Sequence, residues 1–309
     1  MESLSLQNNL IISKIALGTW GMGGDYFGKT NDTACIELIH QAFENGVNFI
    51  DTAPAYGEGH AERLLGKALC GLRNKVIIST KCGLRKKNGQ HFLDLSRKAI
   101  EKDLHESLQR LKTDYIDIYF VHWPDGKTPL HEVIDTLSQL QQKGHIRAFG
   151  LSNYKSEDVD DETATKIIGI QLQNTLIDKA TVREVQNFLS RDIFVFGYGV
   201  FGGGVLTGEY MKEQLLDKYD NRNEFYDYYS DSYLNKLNIF ISMLKEIASN
   251  YDASVAQVLI AFNLCKNGLA SCILGMRTQK HLKENLRGVD IKLHNEDIKK
   301  IKNLSKLLF

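Results

Sequence analysis

No charge of either sign dominates this chain. Its 309 residues carry 38 basic and 38 acidic side chains, a balance that gives no support to a dedicated nucleic-acid surface and leaves only a local patch open. Long apolar runs are absent too. None approaches the roughly 18 residues a membrane span requires, and the opening Met1-Glu2-Ser3-Leu4 lacks the basic flank and apolar core of a signal peptide. Cys35, Cys70, Cys82, Cys265 and Cys272 are odd in number and form no C-x-x-C pair. Neither a zinc site nor a disulfide framework is indicated, and reduced thiols are the natural reading. The expectation is a cytoplasmic protein with no metal and with neither nucleic acid nor membrane as partner. Two catalytic signatures are missing as well: no G-x-S-x-G elbow of a serine hydrolase, and no G-x-G-x-x-G after the first strand.

What is present is an alternation of strand-length apolar runs with helical patterns. After a short hairpin from Leu4 to Ile12, turning at Gln7-Asn8-Asn9, the runs are Ile15–Leu17, Val47–Ile50, Val76–Thr80, Ile116–Val121, Ile146–Leu151, Ile168–Leu172, Ile193–Phe196 and Cys272–Leu274. Nearly all are apolar throughout, as parallel strands covered on both faces should be. Amphipathic stretches fall between them, at Thr33–Glu44, Ala61–Leu69, Arg97–Leu111, Leu130–Gln142 and Val182–Ser190, and Ile298, Ile301, Leu304 and Leu307 predict a closing helix over Asn295–Leu308. Eight strands with intervening helices predict one α/β domain over 1–309, a (β/α)8 TIM barrel capped by an N-terminal β-hairpin. An open doubly wound sheet is the competing architecture. The connection from Gly199 to about Ser230 breaks the rhythm and carries Tyr210, Tyr219, Phe225, Tyr226, Tyr228 and Tyr229. It reads either as a shield over one end of the barrel or as a ligand-covering lid.

Three consecutive strands deliver ionisable groups at their C-terminal ends, the end where barrels build active sites. Phe49-Ile50 leads to Asp51 and, five residues on, Tyr56; Ser79-Thr80 leads to Lys81; Phe120-Val121 leads to His122. Taken singly, Asp51 also suits a helix cap, Tyr56 a half-buried packing residue, Lys81 a solvated charge and His122 a backbone-bonded core histidine. The convergence carries the functional reading. A phenol of pKa about 10 is a poor acid near neutrality; a nearby ammonium lowers that value, and a carboxylate can hold the ammonium. Such a set suits proton transfer at a carbonyl or an alcohol.

A second group lies downstream. Ser152 and Asn153 end the fifth strand with side chains suited to a planar carboxamide, and Gln171 lies near the end of the sixth. Tyr198 follows the seventh, ahead of Gly202-Gly203-Gly204-Val205-Leu206-Thr207-Gly208, a turn that lets backbone N–H groups approach phosphate. Arg277 comes after the eighth strand and suits a phosphate as a bidentate partner, or else is a surface arginine.

Together these residues resemble the aldo-keto reductases over nearly the whole chain, from Gly18-Thr19-Trp20-Gly21-Met22 to Glu284-Asn285. Asn48-Phe49-Ile50-Asp51-Thr52-Ala53-Pro54-Ala55-Tyr56-Gly57, Val121-His122-Trp123-Pro124-Asp125 and Gly150-Leu151-Ser152-Asn153 stand in that family's order. The resemblance implies reduction of a small-molecule carbonyl substrate by NADPH, with NAD possible. Tyr56 is then the general acid, Lys81 its tuning cation paired with Asp51, and His122 the group orienting the carbonyl. It further implies that Ser152, Asn153 and Gln171 hold the carboxamide and that Tyr198 stacks on the nicotinamide. Residues of the Gly202–Gly208 turn, Gly202, Gly204 and Leu206 among them, would meet the pyrophosphate, with Gly18, Thr19, Trp20, Asp51, Gly199, Val200, Phe201 and Gly275 as further cofactor contacts. Arg277 and His281 fall near the 2′-phosphate, Glu284 and Asn285 near the adenine. Departures from the family pattern are Asn174-Thr175 after the strand-six glutamine, Gly199-Val200-Phe201 after the stacking tyrosine, and His281 where some relatives carry a second basic residue.

The substrate is not legible. Trp20, Met22, Tyr26, Phe27 and Trp123 are its candidate contacts, and sugars, ketosteroids and small aldehydes all fit such walls. A cofactor-sensing regulatory subunit of the same fold is the alternative function, and a Schiff-base aldolase using Lys81 is disfavoured because it leaves Tyr56, Ser152, Asn153 and Gln171 unexplained. Oligomeric state does not follow from the sequence.

Overall fold

The computed structural model describes residues 1–24, 27–28, 30–87, 90–208, 222, 226–229 and 231–309. Tyr26, Tyr210, Tyr219 and Phe225, aromatic residues singled out in the sequence, lie outside the described residues.

Strands β1 (Ser3–Ser5) and β2 (Ile11–Ser13) form the antiparallel hairpin, turned by Asn8 and Asn9 in the left-handed region, where asparagine is tolerated. Eight parallel strands then close a barrel: β3 (Ile15–Gly18), β4 (Phe49–Asp51), β5 (Ile77–Cys82), β8 (Ile116–Val121), β9 (Ile146–Ser152), β10 (Ile170–Gln173), β11 (Val195–Tyr198) and β12 (Leu269–Gly275), with β12 returning to β3. Between β5 and β8 a second hairpin intervenes, β6 (Leu84–Lys87) with β7 (Gln90–Leu93). Helices α1 (Asp32–Glu44), α2 (His60–Ala68), α3 (Arg97–Leu111), α4 (Leu130–Gln142), α5 (Asp161–Lys166) and α6 (Lys179–Leu189) link successive strands. Helices α7 (Asp231–Ser249) and α8 (Val255–Leu264) lie between β11 and β12, and α9 (Gln279–Arg287) and α10 (Asn295–Leu308) complete the chain. The TIM barrel and its hairpin are thus present.

Boundaries differ from the sequence reading chiefly in one way, although β12 begins at Leu269, three residues before the run at Cys272. The apolar runs at 47, 76, 168 and 193 start ahead of the strands, while β4, β5, β9, β10 and β11 each run one or two residues further, into Asp51, Lys81-Cys82, Ser152, Gln173 and Gly197-Tyr198. Ladder pairing continues after the side chains turn polar, because the mouth of the barrel is lined rather than filled.

Side-chain alternation divides two cores. Inward residues Ala16, Phe49, Ile118, Phe120, Ala148, Phe196 and Ala270 fill the barrel, with Leu6, Leu10 and Ile12 of the hairpin plugging its N-terminal end. Phe196 meets Phe120 and Phe49 edge-on at centroid distances of 5.3 and 5.8 Å, a favourable aromatic geometry. Outward residues such as Ile15, Ile50, Ile78, Tyr119, Val121 and Leu151 pack beneath the helices. Helix α8 is buried from Val255 through Asn263, so it shows no polar face and no helical period to read.

The plugged end is pinned by one carboxylate. Asp117, fully buried on β8, accepts from Arg73 Nη2 and Arg147 Nη1, each at 2.8 Å, and from the backbone N–H of Ile78 at 3.0 Å. Asn8 Nδ2 donates to the Arg147 carbonyl at 3.0 Å, which joins the hairpin to the same cluster. Removing the carboxylate strands two cations, one of them largely buried, a loss of the order of about 3 kcal/mol. Asp117→Ala is therefore expected to lower the unfolding free energy by that amount, seen as a lower urea midpoint at unchanged slope; an unchanged midpoint would show that solvent replaces the carboxylate.

Candidate active site

Inward alternation also explains the site. On β4 the inward positions are Phe49 and Asp51; on β5 they are Ile77, Ser79 and Lys81; β9 and β11 end inward in Ser152 and Tyr198, and β10 turns Gln171 and Gln173 inward. With a period of two, Asp51, Lys81, Ser152, Gln171 and Tyr198 all face in toward the C-terminal mouth.

Lys81 is 1% exposed. Its Nζ donates to Asp51 Oδ2 at 2.8 Å, to the Thr52 carbonyl at 2.8 Å and to Tyr56 Oη at 3.1 Å. Asp51 is held in turn: its Oδ1 accepts from Ser79 Oγ at 2.7 Å and Gln171 Nε2 at 2.8 Å. Burial pulls the Lys81 ammonium below the ordinary lysine value, opposed chiefly by the Asp51 charge. His122 stands edge-on to Tyr56, ring centroids 6.2 Å apart. Burial first, and then the Lys81 charge and His91, hold its imidazole well below the usual histidine range, so it is neutral near pH 7. The four residues the sequence nominated therefore meet.

Asp51, Tyr56 and His122 line a cavity of about 460 Å³, and Lys81 lies buried behind them. The cavity lining includes Trp20, Phe27, Leu84, His91 and Trp123, then Gly199, Val200, Phe201, Gly203 and Gly204 after β11, and Gly275, Arg277, His281, Glu284 and Asn285 from the end of β12 onward. Gly18, Ser152, Asn153, Gln171 and Tyr198 also reach the surface of the cavity. Three nominated contacts do not line it. Thr19 is buried with its hydroxyl on the Asp51 carbonyl at 3.0 Å; Gly202 lies against Ile177 and Thr175; Leu206 is fully buried in the outer core. Met22 likewise faces the outer core.

The amide of Asn153 is engaged by the protein itself. Its Nδ2 donates to the His122 carbonyl at 2.9 Å and to Ser152 Oγ at 3.0 Å, and its Oδ1 accepts from Tyr198 Oη at 2.7 Å. Asn153 thus ties three strand ends together from a left-handed backbone, φ 61°. Gln171, with Nε2 committed to Asp51, keeps Oε1 as an acceptor.

Several lining residues were not nominated from the sequence. Leu84 and His91 come from the β6–β7 hairpin, which the Asn88-Gly89 dipeptide signals, since that pair favours a two-residue hairpin turn. Ser254, Val255 and Ala256 form the first turn of α8. A reciprocal capping box between Ser254 and Gln257 starts that helix, and the pattern Ser-x-x-Gln was there to be read. Arg222 and Tyr226 reach in from the aromatic connection. Arg222 Nη1 and Tyr229 Oη both donate to the Gly203 carbonyl, at 2.7 and 2.9 Å. Gly203 has φ 70°, and a Cβ there would lie 2.6 Å from the Tyr226 ring; the glycine admits the tyrosine as well as any ligand.

The family model of the aldo/keto reductases matches residues 14–306. The chain belongs to that family. It is 33% identical to Aldo-keto reductase YhdN of Bacillus subtilis, over 98% of this chain and 93% of that protein. It is 29% identical to the NADH-specific methylglyoxal reductase of Escherichia coli, over 97% of each. Among solved structures, the glycerol dehydrogenase of Gluconobacter oxydans superposes with a TM-score of 0.87 at 28% identity, covering 98% of this chain and 94% of that one. Family membership indicates an oxidoreductase, of a kind that generally uses NAD(P)H.

The His122 environment has a consequence for stability. The unfolded imidazole takes up its proton near the ordinary value of 6.5, and the folded one only well below it. The unfolded state then binds more protons in that window, so stability is full above about pH 6.5 and falls as pH drops. Melting temperatures followed through the acid range should decline less steeply for His122→Gln than for the wild type; equal slopes would mean that the folded imidazole protonates normally.

Proposed function

We propose that this protein reduces an aldehyde or ketone to an alcohol using NADPH, with Tyr56 as general acid. The observation that carries the reading is the 3.1 Å contact between a fully buried ammonium, Lys81 Nζ, and Tyr56 Oη beside the cavity. A cation at that distance favours phenolate, which makes the phenol a stronger acid. Asp51 keeps the ammonium in place and compensates part of its burial. His122, neutral and edge-on to Tyr56, suits a hydrogen bond to the substrate oxygen.

The residues present fit a nicotinamide cofactor. Gln171 Oε1 and Ser152 Oγ offer an acceptor and a hydroxyl for a carboxamide, and Tyr198 lines the same cavity. The glycine turn and the first turn of α8 also line it, and backbone N–H groups there suit a pyrophosphate. Arg277 and His281, at the start of α9, suit a ribose 2′-phosphate, and Glu284 with Asn285 an adenine. When bound, NAD(P)H supplies the hydride for the carbonyl carbon. Tyr56 then donates its proton to the developing alkoxide, and Lys81 stabilises the phenolate left behind. Trp20, Phe27, Tyr226 and Trp123 make aromatic walls that suit a small aldehyde or ketone.

Mixing the protein with NADPH and a panel of aldehydes should show cofactor oxidation. Tyr56→Phe should cut turnover by roughly 10² to 10⁴-fold while cofactor affinity stays within a few-fold. A variant that kept most of its rate would remove Tyr56 from the role.

Cofactor choice is a separate expectation. A 2′-phosphate can meet the planar donors of Arg277, and charge-assisted bonds of this kind contribute roughly 1.5–3 kcal/mol, or about ten- to a hundredfold in affinity. NADPH should bind at least about tenfold tighter than NADH, and Arg277→Ala should narrow the gap. The Escherichia coli relative named as NADH-specific marks the opposing outcome: equal affinities in the wild type would place Arg277 elsewhere, with its stem packed on Gly21 as its main role.

A further inference from the structure

A second buried carboxylate lies directly behind the Lys81 site. Glu62, fully buried on the first turn of α2, accepts from Thr80 Oγ1 at 2.6 Å and from Arg110 Nε at 2.5 Å. Thr80 precedes Lys81 on β5, and alternation sends its side chain outward as Lys81 goes inward. Ala61, beside Glu62, donates its backbone N–H to the Tyr56 carbonyl at 3.3 Å. The Thr80–Glu62 bond therefore connects the strand that carries the lysine to the helical turn that holds the tyrosine's loop.

Arg110 closes the arrangement from α3. Its stem runs so near Gly59 that a Cβ there would lie 2.5 Å from Arg110 Cδ, and Gly59 is the residue before α2. The segment from Tyr56 to Gly59 is thus held between the Arg110 side chain and the first turn of α2. The Glu62 charge also adds to Asp51 in favouring the Lys81 ammonium.

We propose that Glu62, gripped by Thr80 and Arg110, is a positioning residue that sets the separation of Tyr56 Oη from Lys81 Nζ. This rests on the reading of Tyr56 as general acid, but the geometry it concerns exists in the protein without turnover. If the grip is released, α2 and its loop can shift relative to β5, the phenol moves away from the ammonium, and phenolate is less favoured.

Thr80→Val tests this without altering a charge: it keeps the shape of the side chain and removes the donor. Thr80→Ser restores the hydroxyl. The titratable groups facing Tyr56 are Lys81, Asp51, His122, Tyr198 and Tyr226, and both variants leave them in place. The Tyr56 titration is read from near-ultraviolet phenolate absorbance, as each protein minus its own Tyr56→Phe derivative. It should move to higher pH in Thr80→Val and return in Thr80→Ser. In carbonyl reduction, kcat of Thr80→Val should fall roughly ten- to a hundredfold, with NADPH affinity within about twofold and the alkaline limb of the pH–rate profile displaced upward.

A Thr80→Val protein that titrates and turns over as wild type overturns the proposal. So does a loss of kcat matched by an equal loss of cofactor affinity with an unmoved phenol, the pattern of general loosening. Should Thr80→Val fail to fold, Thr80→Ala removes the same donor, again without altering a charge, and is read the same way. Wild-type protein without carbonyl turnover would sink the catalytic reading alone, because the absorbance titration decides the positioning claim by itself.

Discussion

The architecture around the mouth is governed by one buried ammonium. A charge like that of Lys81 cannot leave water without a partner, since isolated burial would neutralise it. Asp51 supplies the opposite charge, and Ser79 and Gln171 satisfy the carboxylate's other oxygen. Four barrel positions are thereby committed to polar side chains that an apolar interior would otherwise fill. The layers below are correspondingly aromatic and aliphatic, with Phe196 packed against both Phe49 and Phe120. The barrel is a closed core at the hairpin end and a charged cup at the other. Removing either member of the Asp51–Lys81 pair would expose the second to the full cost of burial.

The same constraint explains what could be read from the sequence and what could not. Parallel strands with apolar faces on both sides announced themselves, and so did helices with one apolar stripe: α3, α4 and α10 stand at the residues their spacing predicts. Strand ends were misplaced where polar inward residues continue the ladder, as at Lys81 and Tyr198. Helix α8 has no polar face to mark its period, and α7 follows a connection whose tyrosines obscure any boundary. Within the site, Asp51, Tyr56, Lys81 and His122 were legible because each ends or follows a strand. Arg222 was not, since only the fold brings it to Gly203.

Glycine shows how a correct residue can be chosen for an incomplete reason. The run from Gly202 to Gly204 suggested backbone approach to phosphate. In the structure, the Tyr226 ring already occupies the space a side chain at Gly203 would need, and Ile177 does the same at Gly202. Gly202 and Gly203 are therefore required by packing before any ligand is considered. A ligand there would meet Gly203 and Gly204 from the cavity, with Arg222 and Tyr229 holding the Gly203 carbonyl. Because those two donors take the carbonyl, the peptide is oriented with its acceptor bound by protein, an arrangement that favours an anion over a donor on the open side.

Asn153 extends that logic to the strand ends beside Gln171. Its side chain bonds to the end of β8, to its neighbour on β9 and to the phenol of Tyr198 on β11. An asparagine so committed fixes the strand ends on either side of Gln171. Gln171 in turn touches Asp51. A ligand donor on Gln171 Oε1 would polarise the amide and strengthen its Nε2–H bond to Asp51. The group that would recognise the cofactor and the group that anchors the lysine are then one hydrogen bond apart, so the charge balance of the cup responds to what fills the cavity.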